Sequence, residues 1–104
     1  MPNDNQAALY SSVLHYLEAV KTMGSDDAGI VAKAMKAAPI HDVFTDHGVA
    51  RADGRVVYDR YLMKVKTPAE SKGPWDYLSV VAKIPAAEAF RALGTTGCKG
   101  EGVE

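Results

Sequence analysis

The chain has 104 residues, of which 47% are apolar and 24% charged, and its formal net charge is −1. This composition is that of an ordinary globular protein, and a chain of this length supports one small core. Its 12 basic and 13 acidic side chains are spread along the sequence, which leaves no electrostatic footprint for nucleic acid. No stretch approaches the ~20 apolar residues of a membrane span. We therefore expect neither nucleic-acid binding nor membrane insertion.

The N-terminal part of the chain predicts a helix pair over residues 6–38. Apolar side chains spaced by three and four residues indicate a first helix over residues 6–23, and Gly24 suits its left-handed C-terminal cap. Ser25 is predicted to cap a second helix over residues 26–37. Pro39 ends this helix, because the residue before a proline avoids helical angles.

Residues 43–84 predict short strands separated by turns. Residues 43–45 and 49–51 are expected to be extended, and Asp53-Gly54 predicts a hairpin leading into one long strand over residues 55–66. A loop over residues 67–76, anchored by Trp75, is expected to precede a strand over residues 77–84.

The C-terminal part predicts a short helix over residues 86–93, with Pro85 in its first turn, and a tail over residues 94–104. Cys98 is the only cysteine, so it has no intrachain disulfide partner, and we interpret it as an inert tail thiol. The sequence predicts a single α/β domain, α+β when taken in isolation, over residues 1–104.

The histidines are few and scattered. We interpret His15 as a residue of the helix surface or of a helix interface, because Glu18 is its only nearby candidate for a second metal ligand. The pairs His41-Asp42 and Asp46-His47 form the most chemically suggestive cluster, although Asp and His are also favoured at turns. Turn formation is the preferred interpretation, and a small enzyme using this cluster is an alternative.

Other catalytic and cofactor motifs are absent from the sequence. Ser11 and Ser12 lie inside a predicted helix without a recognisable base, and no phosphate-binding, dinucleotide-binding or metalloprotease motif occurs. We expect no enzymatic activity, no cofactor and no metal. Four aromatic side chains are interpreted as core or core-edge residues, with the lining of an apolar pocket as the alternative: Tyr58, Tyr61, Trp75 and Tyr77.

Three segments carry a resemblance to a known family. They are QAALYSSVLHYLEAVKTMGSDD (residues 6–27), VARADGRVVYDRYLMKVKTPAESKGPWDYLSVVAKIP (residues 49–85) and AAEAFRALGTTGC (residues 86–98). Together they resemble the C-terminal part of substrate-binding proteins of branched-chain amino acid ABC transporters. The resemblance covers about nine-tenths of this chain but only about the last quarter of a typical member.

This resemblance implies a partial lobe of a periplasmic-binding-protein-like fold. Full-length members are periplasmic and hold an amino acid or small carboxylate between two lobes, mostly with residues upstream of those present here. No ligand-binding residue is therefore carried over to this sequence. The polar N-terminus lacks a secretory signal, so we expect a cytoplasmic product as encoded.

Two functions follow as hypotheses. In the first, the chain is a truncated solute-binding protein that binds a small amino acid or carboxylate as a homo-oligomer, with a dimer expected because uncovered strand edges and apolar faces favour self-association. In the second, it is a structural or interaction module that completes a separately encoded partner. A remnant without ligand-binding activity is a further alternative.

Overall fold

The computed structural model describes residues 2–95. The elements are the helices α1 (Asp4–Met23) and α2 (Ala28–Ala37), the strands β1 (Val49–Ala50), β2 (Val56–Val57), β3 (Arg60–Val65) and β4 (Leu78–Ile84), and the short helix α3 (Ala86–Ala89). The structure is mixed α/β, because a helix pair is followed by small antiparallel strand pairs and a short helix. This architecture confirms the predicted fold class.

The two N-terminal helices are delimited by local hydrogen bonds. Asn3 caps α1 by accepting from the Gln6 backbone N–H at 2.9 Å, while the Gln6 side chain accepts from the Asn3 N–H at 3.0 Å. Gly24 ends α1 in the left-handed conformation, with φ at 60°, as predicted. The predicted Ser25 cap of α2 is wrong: the cap is Asp27, whose carboxylate accepts from the Ile30 N–H at 3.0 Å.

The segment over residues 43–45, predicted to be extended, is a turn instead. The Asp42 carboxylate accepts hydrogen bonds from the Phe44 and Thr45 backbone N–H groups at 2.7 and 3.1 Å, which bends the chain. This turn lets Ile40 pair with Gly48 in an isolated antiparallel bridge. Local side-chain hydrogen bonding therefore overrides the β propensity of the segment.

The predicted hairpin at Asp53-Gly54 is present, with Val49 opposite Val57, Ala50 opposite Val56 and Gly54 at a φ of 79°. The single strand predicted over residues 55–66 is wrong, because β2 ends at Val57 and β3 begins at Arg60. The break is fixed by a distant partner: the Asp59 carboxylate accepts from the Ala86 N–H at 2.9 Å.

Strands β3 and β4 form a separate two-stranded antiparallel ribbon. Its register runs from Arg60 opposite Ile84 to Val65 opposite Leu78, with a bulge that leaves Val81 as the extra residue. Trp75 does not anchor the connecting loop as predicted, because its side chain is exposed. The loop is held instead by the Asp76 carboxylate, which accepts hydrogen bonds from Lys66 Nζ at 2.5 Å and from the Lys72 backbone N–H at 2.9 Å.

The C-terminal helix is shorter than predicted. Instead of residues 86–93, α3 spans Ala86–Ala89, because Phe90 is extended (φ −126°, ψ 145°) and its ring packs against Tyr58. Cys98 and residues 96–104 of the predicted tail lie outside the described residues.

Among the described residues, the core is small and lies between α1, α2 and the Ile40 segment. It consists of Ala19, Val31 and Ile40 with two polar side chains, Ser11 and His15. The radius of gyration is 16.9 Å, whereas a compact domain of this length has about 13 Å. The molecule is therefore flat and extended, measuring 52 × 33 × 17 Å.

A wide apolar stripe of α1 faces away from this core. Ser11, His15 and Ala19 turn towards α2, whereas the stripe on another side of the helix is exposed: Leu9, Tyr10, Val13, Tyr16 and Leu17. Most apolar side chains of the ribbon are exposed as well. Large apolar groups on α1 and the ribbon therefore lack cover within residues 2–95.

Candidate functional sites

An apolar cavity of about 230 Å³ lies between the helix pair and the β1–β2 hairpin. The two cationic side chains beside the cavity, Arg51 and Lys36, already have hydrogen-bond partners. Arg51 pairs with Asp53 and donates to the Arg91 carbonyl at 2.8 Å. Lys36 Nζ donates to the Ala52 carbonyl at 3.3 Å. The cavity therefore suits an apolar group better than a charged one. Its apolar lining includes Ala8, Ala32, Met35, Ile40, Phe44, Ala50, Val56 and Tyr58.

Ser11 and His15 form the buried polar wall of this cavity, one helical turn apart on α1. His15 Nε2 lies 2.9 Å from the Met35 carbonyl oxygen, and because a carbonyl only accepts, this nitrogen donates. Ser12 donates to the Ala8 carbonyl at 2.8 Å. His15 thus lies at the helix interface, where its Nε2 is held by the backbone of α2.

The segment with both His-Asp pairs surrounds a polar pocket of about 230 Å³. His41 and Asp46 are exposed, with His41 Nδ1 3.1 Å from the Asp46 carbonyl oxygen and 3.6 Å from its carboxylate. His47 lines the pocket together with Asp42 and Asp46, whereas His41 does not. Three of the four predicted side chains therefore line the pocket, and the fourth, His41, contacts Asp46 without lining it.

Asp42 is tied to both this segment and the helix pair. Its partial burial raises its pKa, but the Ser11 hydroxyl, the Phe44 and Thr45 N–H groups and nearby His15 outweigh burial and leave the pKa below the usual value. The Asp42 carboxylate therefore stabilises the turn in its ionised form, by accepting backbone hydrogen bonds.

Asp59 and Lys83 complete the polar pocket, and the sequence offered no local signal for them. Lys83 Nζ lies 2.7 Å from the Asp59 carboxylate, and this hydrogen bond lowers the pKa of Asp59 and raises that of Lys83. Across residues 2–95, no group of three or more His, Cys, Asp or Glu side chains is placed to hold a metal ion.

The aromatic side chains do not form one cluster. Tyr58 packs against Phe44 and Phe90, with ring centroids 4.8 and 5.7 Å apart. The interpretation of Tyr61, Trp75 and Tyr77 as core or core-edge residues is wrong, since all three are exposed. Trp75 has a φ of 71°, which is unusual for a residue other than glycine, and its ring lies 6.1 Å from that of Tyr77.

A larger groove, of about 510 Å³, lies at the break between β2 and β3. The Arg60 guanidinium lies 4.6 Å from the centre of the Tyr58 ring and 5.4 Å from that of Phe90. One guanidinium nitrogen is 3.6 Å from the Asp4 carboxylate. The remaining lining residues are Phe44, Asp59, Tyr61, Met63 and Val80. The sequence did not indicate this groove, because Asp4 and Arg60 are far apart along the chain.

Comparison with known proteins identifies related folds. A sequence model of the family described as periplasmic binding protein matches residues 1–74. The solved structure of a periplasmic binding protein from Burkholderia mallei is 46% identical, with a TM-score of 0.90, and the match covers 97% of this chain and 27% of that one. No curated protein matches the chain.

A second solved structure, a branched-chain amino acid ABC transporter periplasmic ligand-binding protein from Burkholderia xenovorans LB400, is 43% identical, with a TM-score of 0.91. That match covers 96% of this chain and 27% of the other. The chain therefore spans about a quarter of the length of these two structures. Within residues 2–95, no helix is both long and apolar enough to cross a membrane.

Proposed function

The chain belongs to the periplasmic binding protein family, and on this basis we propose that it acts as a partial solute-binding protein that binds a small amino acid or carboxylate as a homo-oligomer. The relatives that support this proposal are solute-binding proteins, which are not enzymes, and the proposal assigns no catalytic step to this chain. The ligand class follows from the branched-chain amino acid transporter named for one of the two solved structures.

The observation that supports homo-oligomer formation is the exposed apolar surface of α1 and of the β3–β4 ribbon. The accessible surface of the chain is 7990 Å². A compact monomer of 11.1 kDa exposes roughly 5,700 Å², which is about 2,300 Å² less. Stable interfaces bury about 800 Å² or more per partner. The excess is therefore large enough for a second copy of the chain to bury.

The test of ligand binding is a thermal-unfolding screen of the purified chain. The ligands are branched-chain amino acids, aromatic amino acids and small carboxylates without an amino group. A ligand that binds only the folded state raises the unfolding temperature, and the rise grows as the ligand concentration increases above Kd. We expect at least one of these compounds to raise it reproducibly. A folded oligomer that responds to none of them contradicts the proposal and favours a remnant without ligand-binding activity.

A second candidate function is that of an interaction module completing a separately encoded partner. The observation that favours it is the length of the match, because the chain corresponds to 27% of each of the two solved structures. The test is co-expression with a truncated Burkholderia xenovorans protein that lacks the matching quarter. Co-purification in a one-to-one complex favours this function, whereas homo-oligomers in the presence of that partner favour the first.

A further inference from the structure

One face of the β3–β4 ribbon is apolar except for Lys83 at one end. Alternate residues of a strand share a face, and directly paired residues of neighbouring strands point to the same side of the sheet. All the apolar side chains of this face are exposed within residues 2–95. We call this surface the ribbon face, and its apolar members are Tyr61, Met63, Val65, Leu78 and Val80.

The apolar stripe of α1 matches the ribbon face in length. Leu9 and Leu17, at the ends of the stripe, are separated by about 12 Å along the helix axis, at 1.5 Å per residue. Tyr61 and Val65 are separated by about 13 Å along β3. A helix stripe packed on the apolar face of a sheet is one of the common two-layer arrangements of a protein core. The chain therefore carries both layers of such a core, and each layer is exposed.

The charges of the strands and of the helix differ. Strands β3 and β4 contain three basic side chains, Arg60, Lys64 and Lys83, and no acidic one. Two stacked ribbons would place the basic side chains of both copies in one interface, and like charges disfavour such a contact. Residues 5–20 of α1 contain no Lys or Arg. A helix laid on the ribbon face therefore avoids this repulsion.

Surface area favours a contact that uses both the stripe and the ribbon face. The chain exposes about 2,300 Å² more than a compact monomer of its mass, and a stable interface buries about 800 Å² or more per partner. A contact between two α1 stripes would leave both ribbon faces in water. A two-fold arrangement in which α1 of each copy lies on the ribbon of the other covers all four surfaces at once.

From these observations we infer that the α1 stripe of one copy packs on the ribbon face of a second copy, and that the second copy makes the same contact in return. The contact is two-fold and closed, so it ends at a dimer instead of extending into a filament. This inference rests on the homo-oligomer of the proposed function and specifies its interface. Each copy supplies the helix layer that covers the ribbon of the other.

Two charge substitutions in the full chain test this reciprocal contact. Val13→Glu places a carboxylate in the α1 stripe, and Val80→Lys places an ammonium group on the ribbon face. These side chains are 48% and 60% exposed, so neither change should disturb the fold of the single chain. Val43→Lys is the matched control, because Val43 is 91% exposed and belongs to neither surface.

We expect each substitution alone to convert the dimer into a monomer, because it buries an unpaired charge in both contacts. A one-to-one mixture of Val13→Glu and Val80→Lys should recover the dimer. In that heterodimer one contact is unchanged, and the other brings the introduced carboxylate and ammonium groups together. Light scattering measures the mass, and native mass spectrometry with one variant labelled with a heavy nitrogen isotope measures the composition. Val43→Lys should remain a dimer.

Circular dichroism verifies that each variant is folded. If Val80→Lys does not fold, Val65→Lys takes its place, because Val65 belongs to the same face and is more exposed. If Val13→Glu does not fold, Leu17→Glu takes its place in the stripe. Each replacement is expected to give the same result, alone and in the mixture.

Several results overturn the reciprocal contact while the proposed homo-oligomer stands. Dissociation by Val13→Glu alone assigns the interface to two α1 stripes, and dissociation by Val80→Lys alone assigns it to two ribbons. A dimer that persists in both variants, a mixture that stays monomeric, or a wild-type assembly larger than a dimer also excludes it. A folded wild-type chain that is monomeric contradicts both this contact and the proposed homo-oligomer.

Discussion

Asp42 holds the turn after Ile40 with a carboxylate that accepts from two backbone N–H groups, at 2.7 and 3.1 Å. Replacing it with alanine leaves these donors without their partner, so we expect Asp42→Ala to lower the free energy of unfolding by about 1–2 kcal/mol. An asparagine side chain retains an acceptor oxygen, and Asp42→Asn should therefore lose less. Urea unfolding of the two variants measures the difference; equal stability of Asp42→Ala and wild type contradicts this role.

Acid dependence of stability follows from the same carboxylate and two others. The Asp42 pKa is lowered despite burial, the Asp59 pKa is lowered by the Lys83 hydrogen bond, and the Asp76 pKa is lowered by the Lys66 hydrogen bond. An aspartate with a depressed pKa contributes stability above its unfolded pKa of about 3.9, and this contribution is lost as pH falls through the folded value.

We therefore expect the thermal unfolding temperature to fall as pH is lowered below about 4. Asp59→Asn should reduce this dependence, because the substituted side chain no longer titrates. Unfolding curves recorded between neutral and acidic pH measure the slope. An unfolding temperature that rises on acidification contradicts the assigned direction of these pKa shifts.

At the scale of the elements, the Ile40–Gly48 bridge depends on the absence of a side chain at position 48. A Cβ at this position would lie 2.8 Å from the Thr45 methyl group and 3.0 Å from Ile40 Cβ. We expect Gly48→Ala to lower the free energy of unfolding by about 1–3 kcal/mol, as overpacking does elsewhere.

Gly73→Ala is the matched control, because a Cβ there meets nothing within 4 Å and this glycine is not among those with positive φ. It should leave stability unchanged within about 0.5 kcal/mol. Chemical denaturation of both variants makes the comparison. Equal stability of Gly48→Ala and Gly73→Ala contradicts the close packing of the bridge.

The elements set by local signals were predictable from the sequence. Helix periodicity, Gly24 and Asp53-Gly54 located the helix pair and the hairpin, because caps and turns are fixed by a few neighbouring residues. The β2–β3 break was not predictable, since Asp59 finds its partner at Ala86 only after folding. The Arg60 groove was missed for the same reason, because Asp4, Arg60 and Phe90 meet through tertiary packing.

For the molecule as a whole, the exposed apolar stripe of α1 is the first surface on which to test self-association. Leu9 and Leu17 lie two turns apart on the exposed side of the helix. If a second copy covers this side, the double substitution Leu9→Gln and Leu17→Gln should shift the chain from dimer to monomer. The matched control is Lys21→Gln, which changes an exposed polar residue of the same helix. A dimer that persists in the double variant places the interface elsewhere, on the ribbon.

Light scattering of the purified wild-type chain, coupled to size-exclusion chromatography, determines whether the chain self-associates at all. We predict a folded species of twice the 11.1 kDa chain mass, because the uncovered faces of α1 and of the ribbon favour burial. Circular dichroism of the same fraction verifies that it is folded. A well-folded monomer of 11.1 kDa would show that these apolar faces remain stable in water and would contradict the proposed homo-oligomer.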